Sequence, residues 1–301
     1  MNALRSLAPV VALAAFLPGC SSFSSKPAPE TAGDPRALRE GSVPSSDGVS
    51  IHYIAGGRGD TALVFVHGWT GNARWWTPVM EHFAPGRRVV ALDLAGHGSS
   101  GRERTDWTVE RFADDVAAVV RALDLRRVVL LGHSMSGTIT VQAARLLGDR
   151  VVLLVPVDTL NDVEWDLPPE VWAQFFGGLR ADFPGAVEGF FRDRLASPDS
   201  PPAVIDSVVA QARAADPELA VPMLERAREF DLKAALRELR VPIRAINSDR
   251  TPTRLDTNKK YAPRFAVELM PDVGHWPMLE EPDAFIAALE RVLAKEQIPG
   301  N

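Results

Sequence analysis

The sequence predicts an α/β fold: a mostly parallel central sheet with helices on both faces and an inserted helical cap. Two patterns carry this reading. The short runs "ALVFVHG", "VVALDLAGHG", "VVLLGHS", "VVLLVPVD", "IRAINSD" and "AVELM" are nearly continuous in aliphatic and β-branched residues, the composition of strands buried on both faces. Between them apolar residues recur at three- and four-residue intervals, at Val109, Phe112, Val116, Val119, Val120 and Leu123 and again at Phe285, Ile286, Leu289, Val292 and Leu293. Each such stretch presents one apolar helical face, and strands that alternate with helices pair in parallel. One segment breaks the alternation. From 161 to 240 there is no strand-like run, while Trp165, Trp172, Phe175, Phe176, Phe183, Phe190 and Phe191 crowd among prolines and short helical patterns. This segment is read as a helical cap inserted into a core made of residues 47–160 and 241–301.

The bulk composition narrows the function classes. The 301 residues are 46% hydrophobic, as in a folded protein, and acidic side chains outnumber basic ones by 39 to 33. With no basic run or basic helix face, nucleic acid is not an expected partner. Neither Cys-x-x-Cys pairs nor His-x-x-x-His spacings occur, so no metal site and no cofactor are expected.

The single cysteine, Cys20, closes an apolar stretch, "LAPVVALAAFLPGC", that is too short to span a bilayer and follows Arg5. Residues 1–19 read as a signal peptide. Leu17-Pro18-Gly19-Cys20 resembles the lipobox of bacterial lipoproteins, in which the cysteine carries the lipid; Pro18 is less usual there than Ala or Ser. That resemblance implies a bacterial cell-envelope protein anchored to a membrane through Cys20. Ser21 and Ser22 follow without an aspartate, which favours the outer membrane where the cell has one. Residues 20–46, rich in Ser, Pro, Gly and charge without an apolar period, are expected to form a flexible tether.

The stretch "VVLLGHSMSGT", Val128 to Thr138, runs from a strand-like segment into a helical one through small residues. A nucleophile at the apex of so sharp a turn sits in a strained backbone conformation, and strand and helix then approach so closely that only small residues fit two positions to either side. Ser134 meets that requirement with Gly132 and Ser136. Placing Ser136 at the apex would put Ser134 and β-branched Thr138 in the tight positions, so Ser134 is the expected nucleophile.

"HGWTGNARWW", "LDLAGHGSS", "GHSMSG" and "VGHWPMLEEPDAF" together resemble the α/β-hydrolase superfamily, in its order and spacing, from about Val49 to the end. Ser136 departs from that pattern, which usually has Gly as its fifth elbow residue. The resemblance implies oxyanion donors at the amides of Met135, after the elbow, and Trp69, after the His67-Gly68 turn. Of the six histidines, His52 and His82 lie in ordinary strand and helix contexts, His67 and His97 lie in glycine turns, and His133 is expected to point away from the active face. His275, in the loop after the last strand, remains as the base and matches the superfamily's position for it. The superfamily's acid usually follows the strand read as "IRAINSD" in a Gly-x-x-Asp turn, but here Ser248 and Thr251 occupy those places. Asp249 is preferred as the acid, with Asp158 at the end of "VVLLVPVD" as the alternative.

A serine at the elbow argues against the dehalogenases and epoxide hydrolases of this superfamily, which attack with aspartate. The expected activity is hydrolysis of a carboxylic ester with an apolar acyl group, in a pocket lined by Trp69, Trp172, Phe175, Phe176 and Trp276. A lactonase, thioesterase, carbon–carbon bond hydrolase or perhydrolase would use the same triad, and a non-catalytic ligand receptor would keep the fold without needing it.

Overall fold

A computed structural model describes residues 37–300; the expected signal peptide, Cys20 and most of the expected tether lie outside the described residues. The strands are β1 (Arg39–Pro44), β2 (Ser50–Gly56), β3 (Thr61–Val66), β4 (Arg88–Leu92), β5 (Arg127–His133), β6 (Val151–Val157), β7 (Ile243–Ser248) and β8 (Phe265–Met270). The helices are α1 (Thr77–Phe83), α2 (Val109–Ala122), α3 (Ser136–Leu147), α4 (Pro169–Ala181), α5 (Phe183–Phe190), α6 (Pro202–Arg213), α7 (Pro217–Ala227), α8 (Leu232–Glu238), α9 (Leu255–Tyr261), α10 (Pro277–Glu280) and α11 (Pro282–Lys295).

The described strands form one eight-stranded sheet in the order β1-β2-β4-β3-β5-β6-β7-β8. All pairs from β4 to β8 are parallel, and β2 is antiparallel to its two neighbours. Every residue of β3 is buried, which requires cover on both faces of the sheet. Two sets of helices provide it: α2 packs against α3 and α3 against α8, while α1 packs with α11. The chain passes from β3 outward to β4 and then back across to β5, so the sheet order reverses between β3 and β5. The crevice at the carboxyl ends of strands beside such a reversal is where open α/β sheets bind ligands.

The six apolar runs anticipated from sequence are β3 to β8, and the two helical periodicities are α2 and α11. Two boundaries need correction. Residues 39–44, expected as tether, form the edge strand β1, paired with β2 over its whole length. "REGSVP" lacks an apolar period because an edge strand exposed on alternate positions needs none; Gly41 is covered by the Tyr53 ring opposite, whose hydroxyl would stand 2.5 Å from a β-carbon there. The next two residues are also fastened, Ser45 Oγ donating to Asp115 Oδ1 at 2.6 Å and Ser46 Oγ to Asp114 Oδ2 at 2.8 Å. At the other end of the insertion, α8 lies within 161–240 by number but packs on α3, so the cap proper is α4 to α7.

Candidate active site

Ser134 stands between β5 and α3 with φ +53°, a left-handed conformation that a residue with a side chain adopts only when its surroundings enforce it. They do so here. The Ser134 amide donates to Val157 O at 3.0 Å, and its carbonyl accepts from the Gly137 amide at 2.9 Å. A β-carbon at Gly132 would stand 2.3 Å from the Ser136 carbonyl oxygen, so the strand admits only glycine at that position. Ser136, the departure from the usual glycine, fits because its fully buried hydroxyl donates to His67 O at 2.5 Å.

His275 reaches the elbow from the loop after β8. Its Nε2 lies 2.8 Å from Ser134 Oγ, and its Nδ1 lies 2.6 Å from Asp158 Oδ2. With Asp158 ionised, Nδ1 carries the proton and Nε2 is free to accept one from the serine hydroxyl. Asp158 is the residue just beyond β6, itself left-handed at φ +44°, and its second oxygen accepts from the Ser248 amide at 2.9 Å.

The expected order of the two acids is therefore corrected: the carboxylate at His275 is that of Asp158, and Asp249 is not brought to it. β6 and β7 are adjacent and parallel, so both aspartates follow strand ends on the same rim. Ser248 decides between them. Its amide faces Asp158, its hydroxyl donates to Val273 O at 2.7 Å, and Asp249 beyond it is exposed in a turn with its amide on Met270 O.

The backbone around His275 is held from three sides. Its carbonyl accepts from His133 Nε2 at 2.7 Å, and its amide donates to Leu195 O of the cap at 3.0 Å. The buried Glu280 accepts from the amides of Gly274 and Trp276, at 2.7 and 2.9 Å, and from Ser200 Oγ at 2.5 Å. Glu280 is not singled out by the sequence. His133 turns toward the base rather than away from it, and burial, reinforced by nearby His275, holds its pKa well below the usual histidine value, so it stays a neutral donor. For Glu280 the available signal was its spacing, five residues after His275.

Trp69 and Met135 follow the neighbouring strands β3 and β5. Their amides have no acceptor among the described residues. The β3 loop comes close: a β-carbon at Gly68 would stand 3.0 Å from Ser134 Cβ. The Trp69 indole is tied to the cap, donating to Ala220 O at 2.7 Å.

Above these groups is a cavity of about 620 Å³, bounded on the core side by Ser134, His275, Trp69 and Trp276 and on the cap side mainly by aromatic and aliphatic residues. Trp172 and Phe175 line it as expected. Phe176 does not: it is buried behind Trp172, stacked on it with centroids 5.8 Å apart. Leu167, Phe190, Phe191 and Leu224 also line the cavity, and these were not anticipated because helical periodicity does not reveal which cap residues face the core. The cap includes one turn of π-helix, Phe191–Leu195, which carries the carbonyl that meets His275.

The family model described as "Alpha/beta hydrolase family" matches residues 63–288. The chain belongs to the α/β-hydrolase family. This hydrolase is 39% identical over 152 residues to a non-heme chloroperoxidase of Streptomyces lividans, a match that covers 47% of this chain and 55% of the relative. It thus spans about half the length of that relative. Over 261 residues it is 27% identical to a pimeloyl-[acyl-carrier protein] methyl ester esterase of Pectobacterium carotovorum, covering 82% of this chain and 99% of the relative. Among solved structures, a thermophilic esterase from Thermogutta terrifontis superposes with a TM-score of 0.74 at 25% identity, over 86% of this chain and 99% of the other.

Proposed function

We propose that this hydrolase cleaves carboxylic esters through a Ser134–His275–Asp158 triad and an acyl-enzyme intermediate. The observation that carries the proposal is the unbroken line of hydrogen bonds from Asp158 through His275 to Ser134, ending at an apolar cavity. Ser134 Oγ attacks the ester carbonyl carbon while His275 Nε2 takes its proton, and Asp158 stabilises the imidazolium that results. The amides of Trp69 and Met135 hold the oxyanion of the tetrahedral intermediate. Collapse expels the alcohol, which leaves with the proton from His275. Water then attacks the acyl-serine with His275 as base, releasing the acid and restoring Ser134. The apolar cap lining favours an apolar acyl group.

The test is hydrolysis of p-nitrophenyl esters from acetate to palmitate, with labelling by a fluorophosphonate read by peptide mass. Activity and label should both vanish in Ser134→Ala; turnover that survives that substitution refutes the serine mechanism. We further propose that Cys20 is lipidated and anchors the protein in the bacterial envelope, a reading that rests on the sequence of residues 17–20. Cys20→Ser should then move the protein from the membrane fraction to the soluble one, and retention in the membrane would sink the anchor.

A further inference from the structure

We propose that the esters preferred at this site carry an anionic group at the far end of the acyl chain, and that Arg194 receives it. This inference rests on the serine-esterase reading above and names its substrate class.

The argument starts from charge. The protein has a formal net charge of −6, yet the charged residues lining the Ser134 cavity, His275 aside, are both arginines, Arg194 and Arg228, and no aspartate or glutamate is among its lining residues. The two arginines differ in what holds them. Arg228 has its guanidinium 3.9 Å from the centroid of the Trp172 ring and 3.4 Å from Asp166 Oδ1, so its charge is already shared. Arg194 has no ion-pair or hydrogen-bond partner among the described residues.

That lack is unusual for this cap. Arg192, two residues earlier on the same π-helical turn, pairs with Glu188 at 3.1 Å and Asp206 at 2.7 Å; Arg213 pairs with Glu188 at 2.5 Å, and Arg180 with Glu225 at 2.5 Å. Among the described residues the cap supplies acidic partners to Arg180, Arg192, Arg213 and the cavity-lining Arg228, and none to Arg194, which is exposed at the cavity wall. An arginine fork suits a carboxylate or a phosphate equally well, and it gains most where neighbouring walls exclude water. The remaining cap walls, Trp172, Phe175, Phe190 and Leu224, supply the surface that a run of methylenes needs. A neutral alkyl ester would fill those walls and leave Arg194 to water. An acyl chain ending in an anion uses both.

The experiment compares matched substrates: 4-nitrophenyl hexanoate with mono-4-nitrophenyl adipate, and the 4-nitrophenyl ester of 6-hydroxyhexanoate with that of its 6-phosphate. The first pair tests a carboxylate terminus and the second a phosphate terminus. In the wild-type protein kcat/KM should favour at least one anionic member over its neutral partner by about tenfold. Arg194→Gln should bring that ratio close to one, and Arg194→Lys, which keeps the charge, should restore much of it. A preference for the neutral member of both pairs, or a ratio unchanged in Arg194→Gln, overturns the proposal. Binding of the same esters to Ser134→Ala, followed by quenching of the cavity tryptophans, needs no turnover. If the wild type hydrolyses none of the four, the esterase reading fails, and the ratio of binding constants with and without Arg194 still decides this one. Equal binding of anionic and neutral esters would reject it.

Discussion

The Ser248 amide donates to Asp158 Oδ1 at 2.9 Å, tying the turn after β7 to the carboxylate that holds His275. The acid is thereby presented by two strands, one supplying the side chain and the other orienting it. Asp158→Asn should lower kcat by about 10³- to 10⁴-fold, because an amide stabilises the wrong imidazole tautomer. Asp249→Asn should stay within a few-fold of wild type. Steady-state kinetics on one short ester decide the matter, and a larger loss in Asp249→Asn would return the acid to that residue.

The left-handed backbone of Ser134 stores strain that glycine would not feel. Comparing two inactive variants isolates it, since both lose the hydroxyl. Ser134→Gly should be more stable than Ser134→Ala by about 0.5–1 kcal/mol, the left-handed penalty of roughly 1–2 kcal/mol less the extra chain entropy of glycine. Urea unfolding would read the difference, and equal midpoints would mean the turn is not strained.

Ser136 invites the opposite experiment, replacement by the residue usual at that position. Ser136→Gly removes the donor to the buried His67 carbonyl and should destabilise the fold by about 1–3 kcal/mol, the penalty for a buried acceptor left unpaired. A stability gain would show that the hydroxyl is tolerated rather than used.

Three buried histidines set the acid limb of stability. Burial is the leading cause in each case: it lowers His67, holds His97 at about 3 with help from neighbouring His67, and keeps His133 well below the usual 6.5. A base whose folded pKa is depressed takes up protons in the unfolded chain first. The contribution is therefore complete above about pH 6.5 and is lost as the pH falls below it, for His97 down to about 3, at up to about 1.4 kcal/mol per pH unit for each histidine. Asp115, whose carboxyl is raised by burial, acts in the opposite sense above about 3.8. Urea midpoints at pH 7.5, 6 and 5 should decline, and His97→Gln should flatten the decline; a constant midpoint would contradict the assignment.

Legibility from sequence followed how local each signal was. β3 to β6 announce themselves because strands buried on both faces are nearly continuous in apolar residues, and β7 and the edge strand β8 keep shorter apolar runs, whereas β1 carries Gly41, Pro44 and charges and gains its place only by pairing with β2. Ser134 was legible because the elbow constrains residues two positions away on either side. The acid was not: Asp158 and Asp249 end adjacent strands, and their difference lies in where Ser248 sends its amide and hydroxyl, which is tertiary information. The contact of His133, expected to point away, and the role of Glu280 are hidden in the sequence for the same reason, since both act on His275 through its backbone or that of its neighbours.

β1 has a practical consequence for handling this molecule. The family match begins at residue 63, past both β1 and β2, and a gene fragment trimmed only as far as Ser50 would already discard the strand that covers β2. The exposed ladder of β2 would then offer unpaired amides and carbonyls to another chain, and such a fragment should self-associate edge to edge. Recombinant forms meant to stay dispersed in solution should begin before Arg39, however unpromising the residues that follow it look.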